Sequence, residues 1–584
     1  MSVSDMRGCF VFFSASSAVA LLACAEADGD MEMSPAVPST EPVFVERASE
    51  AGLDFVHQSG ATGEYNYPEL LVGGGALLDV DDDGLLDVYL VQSGPVPGGP
   101  EAAASAGPAA NRPGNRLYRN LGDGGFEDVT DAAGVGDTGY GAGATATDID
   151  RDGLVDLYVT NVGPNRLYRN LGHGVFEDVA ERAGVDDRAW SSSSVFFDYD
   201  GDLDLDLFVA NYVVWSAGRE RPCLGPNGLR NYCNPAEYPP APDSLYRNDG
   251  GGRFTDVSEV AGIRSVAGPG LGVVAADFDG DDLVDLYVAN DQAANHLWLN
   301  RGDGTFREDA LARGAALNEL GQAEAGMGIA VADPDGDGDL DLFLTHLSGE
   351  TNTFYRNDGG GFFRDVTDEA RLGGVSKPYT GFGTSWFDYD GDGVLDLFVA
   401  NGKVTPGDTA AFDYREPNQL LRGMPSGRYE DVSSRAGPAL ELLEVSRGAA
   451  FGDLDNDGDV DVLLVNNEGP VRLFRNDIGN ARSWLVVDLC GGGVFDRSAI
   501  GARVTVEAAG RSWTREVRAA YSFAVGNDPR VHFGLGDAEQ VDRLEVRWPD
   551  GTVTDRTNVE VNRILRLLAP GGERPAEGVC RDAE

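Results

Sequence analysis

Twenty-eight carboxylates in this chain fall into seven copies of one nine-residue phrase, Asp-x-Asp-x-Asp-x-x-x-Asp, with glycine at the sixth position in most copies. The copies are Asp79, Asp81, Asp83 and Asp87; Asp148, Asp150, Asp152 and Asp156; Asp198, Asp200, Asp202 and Asp206; Asp277, Asp279, Asp281 and Asp285; Asp333, Asp335, Asp337 and Asp341; Asp388, Asp390, Asp392 and Asp396; and Asp453, Asp455, Asp457 and Asp461. Four like charges about 5 Å apart repel by on the order of 10 to 20 kcal/mol at an effective dielectric near 20, so a cation is expected among them. Hard oxygen donors without His or Cys select Ca²⁺ or Mg²⁺, and the larger ion suits a flexible loop. Up to seven calcium ions are therefore expected. The glycine at Gly84, Gly153, Gly338, Gly393 and Gly458 permits the turn that brings the chain back round the ion. Leu203 and Asp282 replace it in the third and fourth copies, which are expected to bind most weakly. An EF-hand opens in the same way but needs Glu at the twelfth position, where the first copy has Leu90.

The elements that must hold these loops are short strands. Each repeat has a Gly-rich apolar run before the aspartates and a Val-Tyr-Leu type run after them. A strand such as Asn115-Arg116-Leu117-Tyr118-Arg119-Asn120 follows, then one such as Phe126-Glu127-Asp128-Val129. The third strand returns at Leu167, Leu245, Leu297, Phe354 and Leu473, and in degenerate form at Leu420. Four strands per repeat and seven repeats, at an average step of about 62 residues, predict a seven-bladed β-propeller over 43–480. The last repeat lacks its fourth strand, while Phe44-Val45-Glu46-Arg47 supplies a spare copy before the first loop. The ring is thus expected to close through its N-terminus and leave no open edge. Alternating apolar residues in Trp484 to Leu489, Val504 to Glu507 and Leu544 to Trp548 predict a small β-sandwich or barrel over 481–570, followed by a tail over 571–584.

With 97 acidic against 45 basic residues the net charge is -52, which excludes nucleic acid as a partner and favours metal cations. Arg7 and the apolar run from Cys9 to Leu22 predict an export signal over 1–24, with a flexible tether over 25–42. Leu21-Leu22-Ala23-Cys24 resembles a bacterial lipobox, which implies a lipid anchor to the membrane through Cys24. Leu22 departs from the small residue usual there and leaves plain secretion or a short membrane anchor open. The expected location is the bacterial outer membrane, as a lipoprotein, or the medium. Outside the cytosol Cys223 and Cys233 are expected to form a disulfide, whereas spacing leaves open whether Cys490 and Cys580 pair or stay free.

These phrases resemble the FG-GAP, or VCBS, repeats of integrin α-chain propellers over roughly 42–480. Ile500-Gly501-Ala502-Arg503-Val504, Arg515-Glu516-Val517, Val531-His532-Phe533-Gly534-Leu535-Gly536 and Trp548-Pro549-Asp550-Gly551 resemble the ASPIC/UnbV domain. The whole layout is similar to bacterial relatives of cartilage acidic protein. The resemblance implies extracellular binding or adhesion with no settled ligand. Where that family shows Tyr-Ser followed by small polar residues, this chain has Tyr521-Ser522-Phe523-Ala524, so no role carries over to that segment.

Other chemistry is sparse. Arg301-Gly302-Asp303 spells an integrin-recognition tripeptide but occupies the register of Leu121-Gly122-Asp123, a repeat turn. His532 sits on an apolar β pattern and reads as a packed histidine. No nucleophile elbow, Walker loop or zinc spacing is visible, so the chain is read as a non-enzyme. The insert from Tyr212 to Pro242 stretches the step between the third and fourth loops, and its Trp215, Tyr232 and Tyr238 are the candidate ligand contacts. The alternative view of the insert is a cover over the blade edge. The preferred function is a calcium-binding surface or extracellular module recognising protein or glycan. The alternative is an extracellular polysaccharide hydrolase or lyase with an unrecognised carboxylate site.

Overall fold

A computed structural model describes residues 43–98, 113–225, 228–404, 414–575 and 578–584. The expected signal over 1–24 with Cys24, and the tether up to residue 42, lie outside the described residues. No helix of the described residues is long and apolar enough to cross a membrane.

Seven four-stranded antiparallel sheets follow one another along the chain. Blade one is Gly75–Leu78, Asp87–Leu90, Arg116–Asn120 and Phe126–Asp128, ordered from the axis outward. The inner strands of the other six are Gly141–Thr147, Ser191–Phe197, Gly270–Ala276, Ile329–Ala332, Gly381–Phe387 and Ser446–Gly452. Each inner strand packs on the next, and that of blade seven packs on that of blade one, so the ring is closed. The fourth strand of blade seven is Phe44–Glu46, antiparallel to Arg472–Asn476 with Phe44 opposite Asn476. This is the closure expected from the spare N-terminal strand.

The second strand of each blade begins with the ninth-position aspartate and continues as an apolar run, as in Asp206–Asn211, which is buried throughout. Such a strand faces a neighbouring sheet on both sides, so its sequence is continuously apolar rather than alternating. Inner strands are instead rich in Gly, Ala, Ser and Thr, because seven of them converge on one axis.

After the ring, Ser483–Cys490, Val531–Gly536 and Arg563–Leu568 form one sheet. Arg503–Ala508, Arg511–Glu516, Gln540–Arg547 and Val553–Glu560 form a second. Leu485, Val487, Val504, Val506, Leu544, Val546 and Trp548 share one core between them, which makes this domain a sandwich. Cys490 and Cys580 are joined, as are Cys223 and Cys233. The first of these bridges, which spacing left undecided, ties the C-terminal tail to the sandwich.

The connection between the strands ending at Glu516 and starting at Val531 enters the propeller axis. Val525–Gly526 lies parallel beside the inner strand of blade one. The Ala524 carbonyl accepts from the N–H groups of Gly75 and Ala144, on two blades. Ser522 donates its N–H to Ile329 O at 2.7 Å and its hydroxyl to Ala449 O at 2.8 Å, and accepts from Thr384 N–H at 3.0 Å. A Cβ on Gly74 would lie 2.2 Å from Ala524 O, so only glycine admits the segment there. The Tyr521-Ser522-Phe523-Ala524 stretch, to which the resemblance gave no role, is thus the plug of the channel.

Candidate metal centres

In every loop the first aspartate folds the chain round itself. Asp79 Oδ1 accepts from Asp83 N–H at 3.0 Å and Oδ2 from Gly84 N–H at 2.8 Å. The same pair recurs at Asp148, Asp198, Asp277, Asp333, Asp388 and Asp453. The sixth position is left-handed in all seven, from φ 67° at Asp282 to 99° at Gly458. Leu203 and Asp282 therefore keep the glycine geometry at the steric cost a Cβ carries there.

The ninth aspartate has a second task that its spacing did not reveal. Asp87 Oδ2 accepts from Val80 N–H at 2.9 Å and Oδ1 from Asn120 N–H at 2.7 Å. It pins the loop to the third strand of its own blade as well as facing the cluster. Asp156, Asp206, Asp285, Asp396 and Asp461 do likewise, with Gly423 replacing the asparagine beside Asp396.

The aspartate at the third position turns Oδ2 toward an arginine of the propeller, Arg119 beside Asp81, Arg169 beside Asp150, Arg313 beside Asp279 and Arg422 beside Asp390, and leaves only Oδ1 without a partner. Carboxylate oxygens of Asp79, Asp81 and Asp87 lie within 4.8 Å of one another, and so do those of Asp148, Asp150 and Asp156, of Asp198, Asp200 and Asp206, of Asp277, Asp279 and Asp285, and of Asp333, Asp335 and Asp337. Within these loops Oδ1 of Asp81, Asp150 and Asp279 is buried with no protein partner, as is Oδ1 of Asp390. A buried anionic oxygen without a donor is costly, and a divalent cation held by Asp79, Asp81 and Asp87 or their equivalents removes the cost. The donor set, all oxygen, fits such an ion. Burial pushes Asp79 up to about 7 and Asp148 and Asp285 to about 8, and neighbouring carboxylates add to the rise. These groups resist ionisation unless a positive charge joins them.

The sandwich domain covers this end of the ring with arginines. Arg497 reaches Asp82 at 3.4 Å, Arg503 reaches Asp277 at 3.4 Å and Arg547 reaches Asp282 at 3.1 Å. Arg511 donates to Asp392 O at 2.9 Å, Trp513 to Gly393 O at 2.8 Å and Arg530 to Asp453 O at 2.6 Å. His532 Nε2 donates to Gly458 O at 2.7 Å, which makes it a docking residue of the seventh loop. No sequence signal assigned these residues to the loops, since the contacts cross between domains.

Trp215, Tyr232 and Tyr238 lie at the other end of the inner strands. Tyr238 donates to Glu220 at 2.6 Å, Tyr232 to Glu69 at 2.8 Å, and Trp215 to Glu220. Tyr238 stacks on Tyr67 at 4.8 Å, and the three pack on a cluster containing Trp190, Tyr212 and the plug residue Phe523. Their polar atoms bond within the protein. Asp303 of the Arg-Gly-Asp tripeptide accepts from Thr305 N–H at 3.1 Å, the same turn that Asp123 makes with Gly125.

Residues 79–159, 148–209, 236–288, 277–344 and 333–399 match the FG-GAP-like repeat family, and 495–574 match ASPIC and UnbV. The chain is 26% identical over 379 residues to cartilage acidic protein 1 of Homo sapiens, covering 61% of this chain and 54% of that one. Against the Mus musculus protein it is 27% identical, covering 61% and 56%. The chain thus spans about half the length of the curated relatives it matches. A solved structure of YCF48 bound to D1 peptide aligns at a TM-score of 0.40 and 8% identity, covering 75% of this chain and 97% of that one. An Agrocybe aegerita lectin that recognises non-reducing terminal N-acetylglucosamine aligns at 0.35 and 17%, covering 63% and 90%.

Proposed function

We propose, from the premise that this chain belongs to the FG-GAP-like repeat family and carries an ASPIC and UnbV domain, that it is an exported binding module whose aspartate loops hold structural calcium. The observation that carries the reading is the set of buried, unpartnered carboxylate oxygens at the third loop positions, Oδ1 of Asp81, Asp150, Asp279 and Asp390, at the end of the ring that the sandwich domain covers. An ion there neutralises the loop, binds it to the folded chain and so contributes to stability. Carboxylates enclosed in this way serve the fold rather than a substrate. Recognition of a protein or glycan then falls to the sides of the ring and to its far end. Two disulfides support an oxidising compartment, and lipidation of Cys24 remains part of the proposal.

The test is a calcium titration of the chelator-treated mature protein by calorimetry, with bound metal counted by mass spectrometry. Several ions per chain are expected, with melting raised by on the order of 10 °C in millimolar calcium. A protein that holds no metal and melts identically in chelator ends the calcium reading. A screen against glycans and surface proteins tests the binding role. Product release lost on mutation of one acidic residue outside the loops would replace that role with catalysis.

A further inference from the structure

Six of the seven seams between blades are fastened by one device. The asparagine that ends the third strand donates its side-chain N–H to the second-position carbonyl of the preceding loop. Asn120 holds Leu454, Asn170 holds Val80, Asn248 holds Ile149, Asn300 holds Tyr199, Asn357 holds Phe278 and Asn476 holds Tyr389, all at 2.8–2.9 Å. In blade six the position is Gly423, so the carbonyl of Pro334 in loop five receives no such bond. A Cβ on Gly423 would lie 2.1 Å from Leu395 O, which shows that the strand has closed onto its own loop instead. Pro334 also lacks the N–H that the ninth aspartate accepts in the other loops, and Asp341 Oδ2 is buried without a partner. Two independent departures thus meet at one seam, and a cleft of about 460 Å³ lies there, between blades five and six.

We propose that this cleft is a binding site for a neutral saccharide. Its volume falls within the roughly 300–1,000 Å³ of small-molecule sites. One side is apolar, with Phe354, Met424 and Tyr429, and the polar positions are Asp335, Arg428, Arg356, which is paired with Asp358 at 2.8 Å, and Glu369, which is paired with Arg364 at 2.8 Å. Arg356 and Glu369 each carry a partner of opposite charge, and Asp335 and Arg428 oppose each other in sign, so the cleft selects neither sign of ion, and the net charge of -52 further disfavours a polyanion. The walls present side chains and turns. Tyr429 N–H, at the edge of blade six, is already given to Ala370 O at 3.0 Å, so an added peptide strand finds no ladder to join there. A ring with one apolar face and an edge of hydroxyls matches such a lining. The assignment rests on the binding-module reading and adds to it a ligand class and a place.

The full mature chain in millimolar calcium is tested by saturation-transfer NMR with the methyl glycosides of glucose, galactose, mannose and N-acetylglucosamine. At least one is expected to receive saturation, and to lose affinity by about tenfold or more in Arg356→Ala and in Glu369→Trp. Glu369 is 68% exposed in its side chain, so the tryptophan covers the mouth without entering the core and serves even where Arg356→Ala misfolds. Tyr232→Phe, at the far end of the channel, is expected to bind normally. Binding that survives both cleft variants overturns the location and leaves the binding-module reading intact. No transfer to any of the four glycosides overturns the saccharide assignment, while the glycan and surface-protein screen judges the wider reading separately.

Discussion

The recurring aspartates are not equivalent residues. The first and ninth are spent on backbone N–H groups and shape the loop, while the third keeps a buried oxygen free for a cation. A similar distinction applies to the residue before the third strand, which is Asn115, Asn165, Asn295, Asn352 or Asn418 in five blades and Asp243 in blade three. Asp243 Oδ1 accepts from Asn211 N–H at 2.9 Å, but its other oxygen is buried without a partner, and burial pushes the carboxyl up to about 7. The unfolded chain releases this proton near 3.9. Its stabilising contribution is therefore complete below that pH and is lost as pH rises through about 7. Asp243→Asn, which restores the residue of five other blades, is expected to remove roughly 2 kcal/mol of stability loss between pH 5 and 8. Urea unfolding of both proteins across that range, with calcium fixed, measures it; parallel pH curves would contradict the assignment.

At the scale of the element, the loop is a turn that demands left-handed backbone at its fourth and sixth positions. Asp282 holds φ 67° and is largely exposed, with one surface ion pair to Arg547. Asp282→Gly is expected to gain up to about 1 kcal/mol, because relief of strain exceeds the small value of an exposed pair. Leu203 holds φ 71° but packs on the core of the sandwich domain. Leu203→Gly is expected to lose stability, by about 1 kcal/mol, since the buried contact outweighs the strain. Opposite signs for one substitution at equivalent positions are the measurable outcome in denaturant unfolding.

Across the whole molecule the propeller and the sandwich form one interlocked body. The sandwich covers the aspartate end with arginines and sends Ser522 to Gly526 down the axis, where Phe523 packs at 5.0 Å from Phe382. Arg447, buried at the end opposite the aspartate loops, stacks on Phe382 at 4.0 Å and donates to Leu70 O and Gly402 O. Phe523→Ala is expected to destabilise by about 3 kcal/mol, since the closed channel leaves the cavity no room to collapse. The loss should be shared by both domains and seen as one lowered transition by near- and far-ultraviolet circular dichroism. Two separated transitions, with the propeller unchanged, would mean that the plug is not part of its core.

The sequence alone determined the repeat, its seven copies, the four strands of each and the closure by Phe44–Glu46. Those features are written in local spacing and apolar period, which act over a few residues and survive without knowledge of the neighbours. It also displayed the asparagine that ends the third strand and its loss at Gly423, although not what the asparagine holds. Only the tertiary structure decided that the aspartate end is covered, that Cys490 meets Cys580, that Trp215, Tyr232 and Tyr238 pack on the cluster of Phe523, and that Tyr521 to Ala524 enters the axis. Most of these contacts join residues from about seventy to several hundred positions apart, through shape and polar pairing that no local pattern records.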